Sequence, residues 1–245
     1  GSSSGAGSAA AGGSGAGAGT GSGSGGSSSG AGAVSGGGSA GGGSVAAPGL
    51  YEWKDDDLKA DWLAESYTTI ELRGDSAFVS GSGAEAADGG VVIKASGTYV
   101  LSGKLDDGQI VVDVSKDDKV RLVLSGVDIH HADGAALHIV EADKVTMTLA
   151  DGTTNVLSDT ANYKFPDAAD DEPDATLFSR ADLVINGTGT LKVSANYNNG
   201  IASKDDLRIV SGTIEVEAVD DALVGKDIVA VRDGTIRLFA GGDAI

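Results

Sequence analysis

Cysteine is absent from the 245 residues, proline occurs only three times, and aromatic residues make up 4% of the sequence. Without cysteine the chain has no disulfide, no thiolate metal site and no cysteine nucleophile. The low aromatic content argues against a large globular core. No run approaches the roughly 18 apolar residues of a membrane span, so no such span is expected.

Basic residues are also scarce. Lys and Arg number 17 against 36 Asp and Glu, which gives a formal net charge of −19. This surplus opposes binding to nucleic acid or anionic lipid by simple attraction, and a polyanionic partner would need a bridging cation. The sequence contains no G-x-S-x-G motif, no phosphate-loop motif and no basic stripe with interleaved aromatics. Ser-His-Asp catalysis, phosphate-loop chemistry and nucleic-acid recognition are therefore set aside.

Glycine, by contrast, is abundant, with 40 residues. Gly, Ser and Ala dominate residues 1–47, a low-complexity leader expected to be a flexible linker. If the leader is ordered, Gly-rich backbone of this kind would pack closely against another chain. The opening GSSSGAGS resembles the tether that follows the lipidated cysteine of bacterial lipoproteins, which would place a lipid anchor upstream of residue 1.

The texture changes after the leader. Residues 48–90 carry Trp53 and Trp62 around an acidic run. This segment is predicted to be an N-terminal cap, because the first coil of a solenoid exposes apolar side chains and unpaired strand edges. From Val91 onward, short alternating runs such as VRLVL and TIEVEA are broken by Gly, Asp and Asn, which predicts strands and not helices.

An internal repeat selects among all-β architectures. Residues 198–219 align without gaps on residues 220–241, a period of 22. Earlier segments repeat with looser spacing of up to 25 residues. We therefore predict a parallel β-helix, a solenoid of 22–25 residues per coil, over residues 91–245 with a loop insertion at 158–176. Equivalent residues of stacked coils then lie about 4.8 Å apart.

Several segments carry a family resemblance. GTYVLSGKLDDGQIVVDV, INGTGTLKV and above all GIASKDDL resemble a bacterial carbohydrate-binding β-helix family, first known as a domain of unknown function and related in fold to calcium-dependent pectate lyases. The resemblance covers about residues 50–245. It implies a secreted or surface-anchored right-handed parallel β-helix that binds calcium and plant-wall-type polysaccharide, polygalacturonate or cellulose-like, without established lyase activity.

Acidic and amide residues recur at the coil boundaries of the repeat. Carboxylates stacked about 4.8 Å apart repel one another unless a cation lies between them. Calcium suits this position, because it takes six to eight oxygen ligands in loose geometry. The alternative is turn chemistry alone, since Asn and Asp favour tight turns and form side-chain ladders. The candidate calcium ligands are Asn198, Asn199, Asp205, Asp206, Asp220, Asp221, Asp227 and Asp243.

Three further residues are candidates for binding carbohydrate. Lys204 and Lys226 occupy equivalent repeat positions. One of them could abstract the proton α to a uronate carboxyl, if a nearby calcium lowers its pKa. Alternatively, both offset the acid ladder as solvated ion pairs. Tyr163, in the acidic insertion, is a candidate platform for a sugar ring, and the insertion could instead supply further calcium ligands. A disordered acidic loop is equally compatible with this segment.

The residues and the resemblance together favour an extracellular or cell-surface-anchored, calcium-dependent carbohydrate-binding module that recognises acidic or plant-wall-type polysaccharide and is not an enzyme. A structural subunit is the alternative, assembled into a surface filament through the open end of the β-helix and the Gly-rich leader. The third hypothesis is a polysaccharide lyase that uses Lys204 or Lys226 as its base.

Overall fold

The computed structural model describes residues 44–46, 51–165, 167 and 170–245. Apart from residues 44–46, the leader and the expectations attached to it lie outside this part of the chain. The described residues are all-β, with one short helix, α1 (Asp55–Leu58). No helix within them is long and apolar enough to cross a membrane.

The strands fall into an N-terminal group and a longer repetitive group. The first five are β1 (Ser44–Ala46), β2 (Tyr67–Gly74), β3 (Ala77–Ser80), β4 (Ala84–Ala87) and β5 (Gly90–Ile93). The others are β6 (Gly97–Leu105), β7 (Gln109–Asp113), β8 (Lys119–His130), β9 (Leu137–Glu141), β10 (Lys144–Leu149), β11 (Thr154–Ser158), β12 (Ala175–Ser179), β13 (Asp182–Gly187), β14 (Thr190–Ala195), β15 (Asn199–Ser203), β16 (Leu207–Ile209), β17 (Thr213–Ala218), β18 (Leu223–Gly225), β19 (Ile228–Val231) and β20 (Thr235–Ala240).

Parallel pairing follows the sequence repeat. From β9 onward, each strand pairs in parallel with the strand three places later, which gives the rows β9-β12-β15-β18, β10-β13-β16-β19 and β11-β14-β17-β20. Strands β17 and β20 align Thr213 with Thr235 and Ile214 with Ile236. This register confirms the 22-residue alignment predicted from the sequence. Equivalent side chains therefore stack about 4.8 Å apart.

The core lies on the inward side of these rows, because strand residues alternate between the two faces of a sheet. In β14, Leu191 and Val193 are buried, whereas Lys192 and Ser194 are exposed. The buried set is mainly Leu, Ile, Val and Ala, which suits a narrow interior. Each fully buried Leu, Ile or Val contributes about 1.5–3 kcal/mol to folding.

The N-terminal segment crosses the outward face of β10, β13 and β16. Asn186 of β13 donates to the backbone carbonyls of Asp57 and Lys59. Lys144 of β10 forms an ion pair with the fully buried Asp57 at 2.8 Å. Residues 51–59, which we call the strap, thus contact β10 and β13 through these bonds and β16 through Arg208, 3.6 Å from Asp57. The region predicted to be a cap also contains the antiparallel pairs β2-β3 and β4-β5.

One edge of the repeat is covered by the chain itself. Strand β1 pairs in parallel with β19. The backbone N–H groups of Ala222 and Leu223 donate to the carbonyls of Asp243 and Ala244. The edge of β19 is therefore paired with residues 44–46 and is not open to another chain at these positions.

Candidate functional site

Three carboxylates converge where β13 and β16 begin. Asp182 is the first residue of β13, and Asp205 and Asp206 precede β16. One oxygen of each lies within 4.8 Å of the other two. The residues stack because the parallel register aligns Leu183 with Leu207. Asp205 and Asp206 are among the predicted ligands, whereas sequence reasoning missed Asp182, although the match of ADL at 181–183 to DDL at 205–207 carried the signal.

The surroundings of Asp205 and Asp206 disfavour their ionisation. Burial and the nearby charges of Asp182 and Asp206 raise the pKa of Asp205. Burial and the charge of Asp182 likewise raise the pKa of Asp206, against the opposing effect of Arg208. Asp227, an exposed predicted ligand, adds negative charge near both. A divalent cation bound here would relieve this repulsion, and carboxylate oxygens are the ligands that calcium prefers.

Arg208 supplies one positive charge beside this group. Its side chain is fully buried and forms an ion pair with Asp182. Its Nη1 lies 3.6 Å from Asp57 and 3.9 Å from Asp206. The same nitrogen donates to the Tyr51 hydroxyl at 2.9 Å, and that hydroxyl donates to Asp206 at 3.3 Å. One guanidinium offsets only part of the charge, so the group remains acidic.

Four of the other predicted ligands lie at or just before the starts of β15 and β18, and Asp243 follows β20. Asn199 Oδ1 accepts the N–H of Asp221 at 3.1 Å, and Asp221 Oδ1 accepts the N–H of Asp243 at 2.7 Å. This is the side-chain ladder that turn chemistry alone predicts. Asn198 and Asp220 occupy the same two turns. The structure thus divides the predicted ligands into two groups, and among the described residues the gathered carboxylates belong to the group before β16.

The loop between β11 and β12 presents an aromatic cluster. Tyr163 stacks on Tyr197 with ring centroids 4.1 Å apart, and Phe165 lies 6.2 Å from both rings. The Tyr163 hydroxyl donates to the buried Asp159 at 2.5 Å. Burial, together with this carboxylate, raises the pKa of Tyr163. Tyr163 therefore anchors the loop to Asp159, the residue that follows β11. Tyr197, which sequence reasoning missed, covers one face of the proposed sugar platform.

The two predicted lysines follow β15 and β18. Lys204 Nζ lies 2.8 Å from Glu172 and 3.7 Å from Asp174, above the ring of Phe178. Burial lowers the pKa of Lys204, but these two carboxylates outweigh burial and raise it. A catalytic base at neutral pH needs a lowered pKa. Lys226 is exposed and makes no ion pair with any residue that the structure describes.

His138 of β9 lies beside Phe178 of β12 and near Glu172 of the loop between β11 and β12. Its Nε2 is buried and has no hydrogen-bond partner among the described residues, and its ring packs edge-on against Phe178 at 5.6 Å. Burial and the charge of Arg180 lower the pKa of His138 to about 4, against the opposing charges of Glu172 and Asp113.

We expect this histidine to make the fold sensitive to mild acid. The unfolded chain takes up the imidazole proton near pH 6.5, whereas the folded chain takes it up only near pH 4. The lowered pKa therefore costs no stability above pH 6.5. As the pH falls from 6.5 to 4, it lowers the free energy of unfolding by a total of about 3 kcal/mol. Urea unfolding of the wild type and of His138→Gln between pH 4.5 and 7.5 should show a smaller loss in the variant. Equal losses would contradict the assignment.

Comparison with known proteins gives one consistent family. A family model described as "Carbohydrate-binding domain-containing protein" matches residues 87–245. A curated protein of the same description from Acetivibrio thermocellus is 46% identical over 128 residues, which are 52% of this chain and 45% of that protein. The chain thus spans less than half the length of this relative.

A solved structure is similar over a larger share of the chain. It is described as "Structure of the polysaccharide lyase-like protein from C. thermocellum, Gadolinium derivative". The similarity has a TM-score of 0.63 at 33% sequence identity, and it covers 70% of this chain and 81% of that chain.

Proposed function

Because the chain belongs to the family described as carbohydrate-binding domain-containing protein, we propose that it is an extracellular module that binds acidic or plant-wall-type polysaccharide with the help of calcium. We also propose that its parallel strands form a right-handed β-helix. The parallel rows of strands, with register repeats of 22 residues between β17 and β20, support this architecture.

The convergence of Asp182, Asp205 and Asp206 carries the calcium part of the proposal. Their oxygens lie within 4.8 Å of one another, close enough to bind one ion together, and their mutual repulsion favours a cation between them.

Calcium also resolves a charge problem. A chain with a net charge of −19 repels polygalacturonate. A bound cation with unfilled coordination positions would accept uronate carboxylates directly, because calcium tolerates mixed protein and ligand oxygens. We therefore propose that the acidic group before β16 holds the ion and that the ion contacts the sugar.

The description of the structural neighbour as polysaccharide lyase-like favours a lyase as the second candidate function. The raised pKa of Lys204 supports binding without catalysis, because a protonated lysine cannot accept the substrate proton. Release of unsaturated products from polygalacturonate in calcium, followed by ultraviolet absorbance, would establish the lyase.

Calorimetry tests the calcium site. We expect Asp205→Asn and Asp206→Asn to weaken calcium binding roughly tenfold or more, because each removes a charged ligand. Asp75→Asn is the matched control, since it removes the same charge from an exposed turn. Equal calcium affinity in all three variants would contradict the site.

Polygalacturonate titrations with calcium and with chelator test the rest of the proposal. We expect binding in calcium and its loss in chelator. Undiminished binding in chelator would remove calcium from the proposed function. Absence of binding to acidic and neutral plant-wall polysaccharides in calcium would contradict polysaccharide binding itself.

A further inference from the structure

A column of basic residues follows the row β12-β15-β18. The last residues of these strands, Ser179, Ser203 and Gly225, pair in one register. The residues that come next are Arg180, Lys204 and Lys226. We call these three the basic column. The N–H of Lys204 donates a hydrogen bond to the carbonyl of Ser179, and the N–H of Lys226 donates to that of Ser203. These bonds hold the three residues at the ends of neighbouring strands, about 4.8 Å apart.

The basic column faces outward. Leu177 is part of the core, so the alternation along β12 directs Phe178 to the outer side, and Arg180 follows two residues later on that side. The position of the Lys204 ammonium 5.4 Å from the Phe178 ring centroid agrees with this direction. One cation per coil therefore stands on the outside of a chain whose acids outnumber its bases by 36 to 17.

A single carboxylate of the chain already bridges two members of the column. Glu172, from the loop between β11 and β12, places one oxygen 2.8 Å from Lys204 Nζ and the other 3.3 Å from Arg180 Nη2. The third member, Lys226, is exposed and makes no ion pair with the described residues. Two members of the basic column are thus paired with a carboxylate of the chain, and the third faces solvent.

We propose that the basic column is a carboxylate-binding subsite for a polyuronate and that Glu172 occupies it as a competitor within the chain. A linear polyuronate carries one carboxylate on each sugar, and a column with one cation on each coil presents a matching series of partners. Charge-assisted hydrogen bonds from ammonium and guanidinium groups need no metal ion. The proposal rests on the polysaccharide part of the proposed function and is independent of its calcium part.

The position of Glu172 determines the expected effect of removing its charge. Its side chain is 29% exposed, so an incoming carboxylate can reach the same cations once Glu172 moves aside. Asp174 lies 3.7 Å from Lys204 Nζ and stays there when Glu172 is neutralised. Glu172→Gln should therefore free Arg180 and leave Lys204 with only the longer of its two ion pairs, whereas Lys226→Gln should remove a free contact.

The test is titration of polygalacturonate in saturating calcium, the condition in which the proposed function expects binding, with a neutral soluble glucan in parallel. We expect Glu172→Gln to bind polygalacturonate roughly threefold or more tightly than the wild type and Lys226→Gln to bind it roughly threefold or more weakly. Glucan affinity should not change.

Glu215→Gln is the matched control, because Glu215 also bridges cations of neighbouring coils, Lys192 and Arg237, at 2.9 Å each. It removes the same charge on another face of the molecule. Equal gains from Glu172→Gln and Glu215→Gln would reduce the effect to net charge and overturn the proposal, as would an unchanged affinity in Lys226→Gln. Failure of the wild type and all variants to bind any polysaccharide would instead contradict the proposed function.

Discussion

Replacing Arg208 with methionine is expected to lower the free energy of unfolding by about 3–5 kcal/mol, because it removes a buried cation that pairs with the buried Asp57 and the half-buried Asp182 and Asp206. Arg208 is fully buried and lies between Asp57, Asp182 and Asp206. Methionine preserves much of the packing but none of the charge. Urea unfolding at pH 7 measures the loss, and Arg208→Lys should recover only part of it, since an ammonium cannot reach the same partners as a planar guanidinium.

Arg237→Met provides the control for this prediction. Arg237 forms an ion pair with Glu215 at 2.9 Å, but its side chain is 56% exposed. An exposed pair of this kind contributes about 0–1 kcal/mol. Similar losses in Arg208→Met and Arg237→Met would contradict the buried network. If calcium binds at the acidic group before β16, added calcium should stabilise Arg208→Met more than the wild type, because the ion replaces part of the missing charge.

The repeat made the strand register predictable from sequence. Thr213 and Thr235, or Ile214 and Ile236, align in the structure as they align in the sequence, because a fixed period brings equivalent residues opposite each other in stacked parallel strands. Gly, Asp and Asn between the alternating runs marked where strands end. These signals are local, and they recur with the sequence repeat.

The strap across β10, β13 and β16 carried no such signal. Asp57 meets Lys144 across 87 residues of sequence, and Tyr51 meets Asp206 across 155. Neither pair repeats with the coil period. An acidic run near two tryptophans indicated a cap, but nothing in the sequence showed that one of its acids is buried against cations of the sheet.

The candidate site was predictable in part for the same reason. Asp205 and Asp206 lie in the gap-free repeat, whereas Asp182 lies one coil earlier, where the spacing is looser. The stacking of Tyr163 on Tyr197 joins an irregular loop to a later coil. Such contacts depend on the path of the loop, which the periodic pattern does not determine.

Gly187→Ala is expected to destabilise the fold by about 3 kcal/mol or more, because the parallel pairing of β13 with β10 leaves no room for a side chain at this position. Gly187 ends β13 and pairs with Leu149 of β10. Its φ is +99°, a conformation that L residues avoid, and an added Cβ would overlap the Leu149 carbonyl oxygen and lie 2.8 Å from the Leu149 nitrogen. These neighbours are backbone atoms, so the paired strands β10 and β13 would themselves have to separate.

Gly126→Ala separates the cost of the positive φ from the cost of the steric overlap. Gly126 also has a positive φ, +80°, but nothing lies within 4 Å of the position that an alanine methyl group would take there. This variant should lose only the backbone contribution of about 1–2 kcal/mol. Urea unfolding of both variants isolates the stacking contact as their difference. If both lose the same stability, the backbones of β10 and β13 are not in close contact at Gly187, and the strand spacing that their parallel register implies is wrong there.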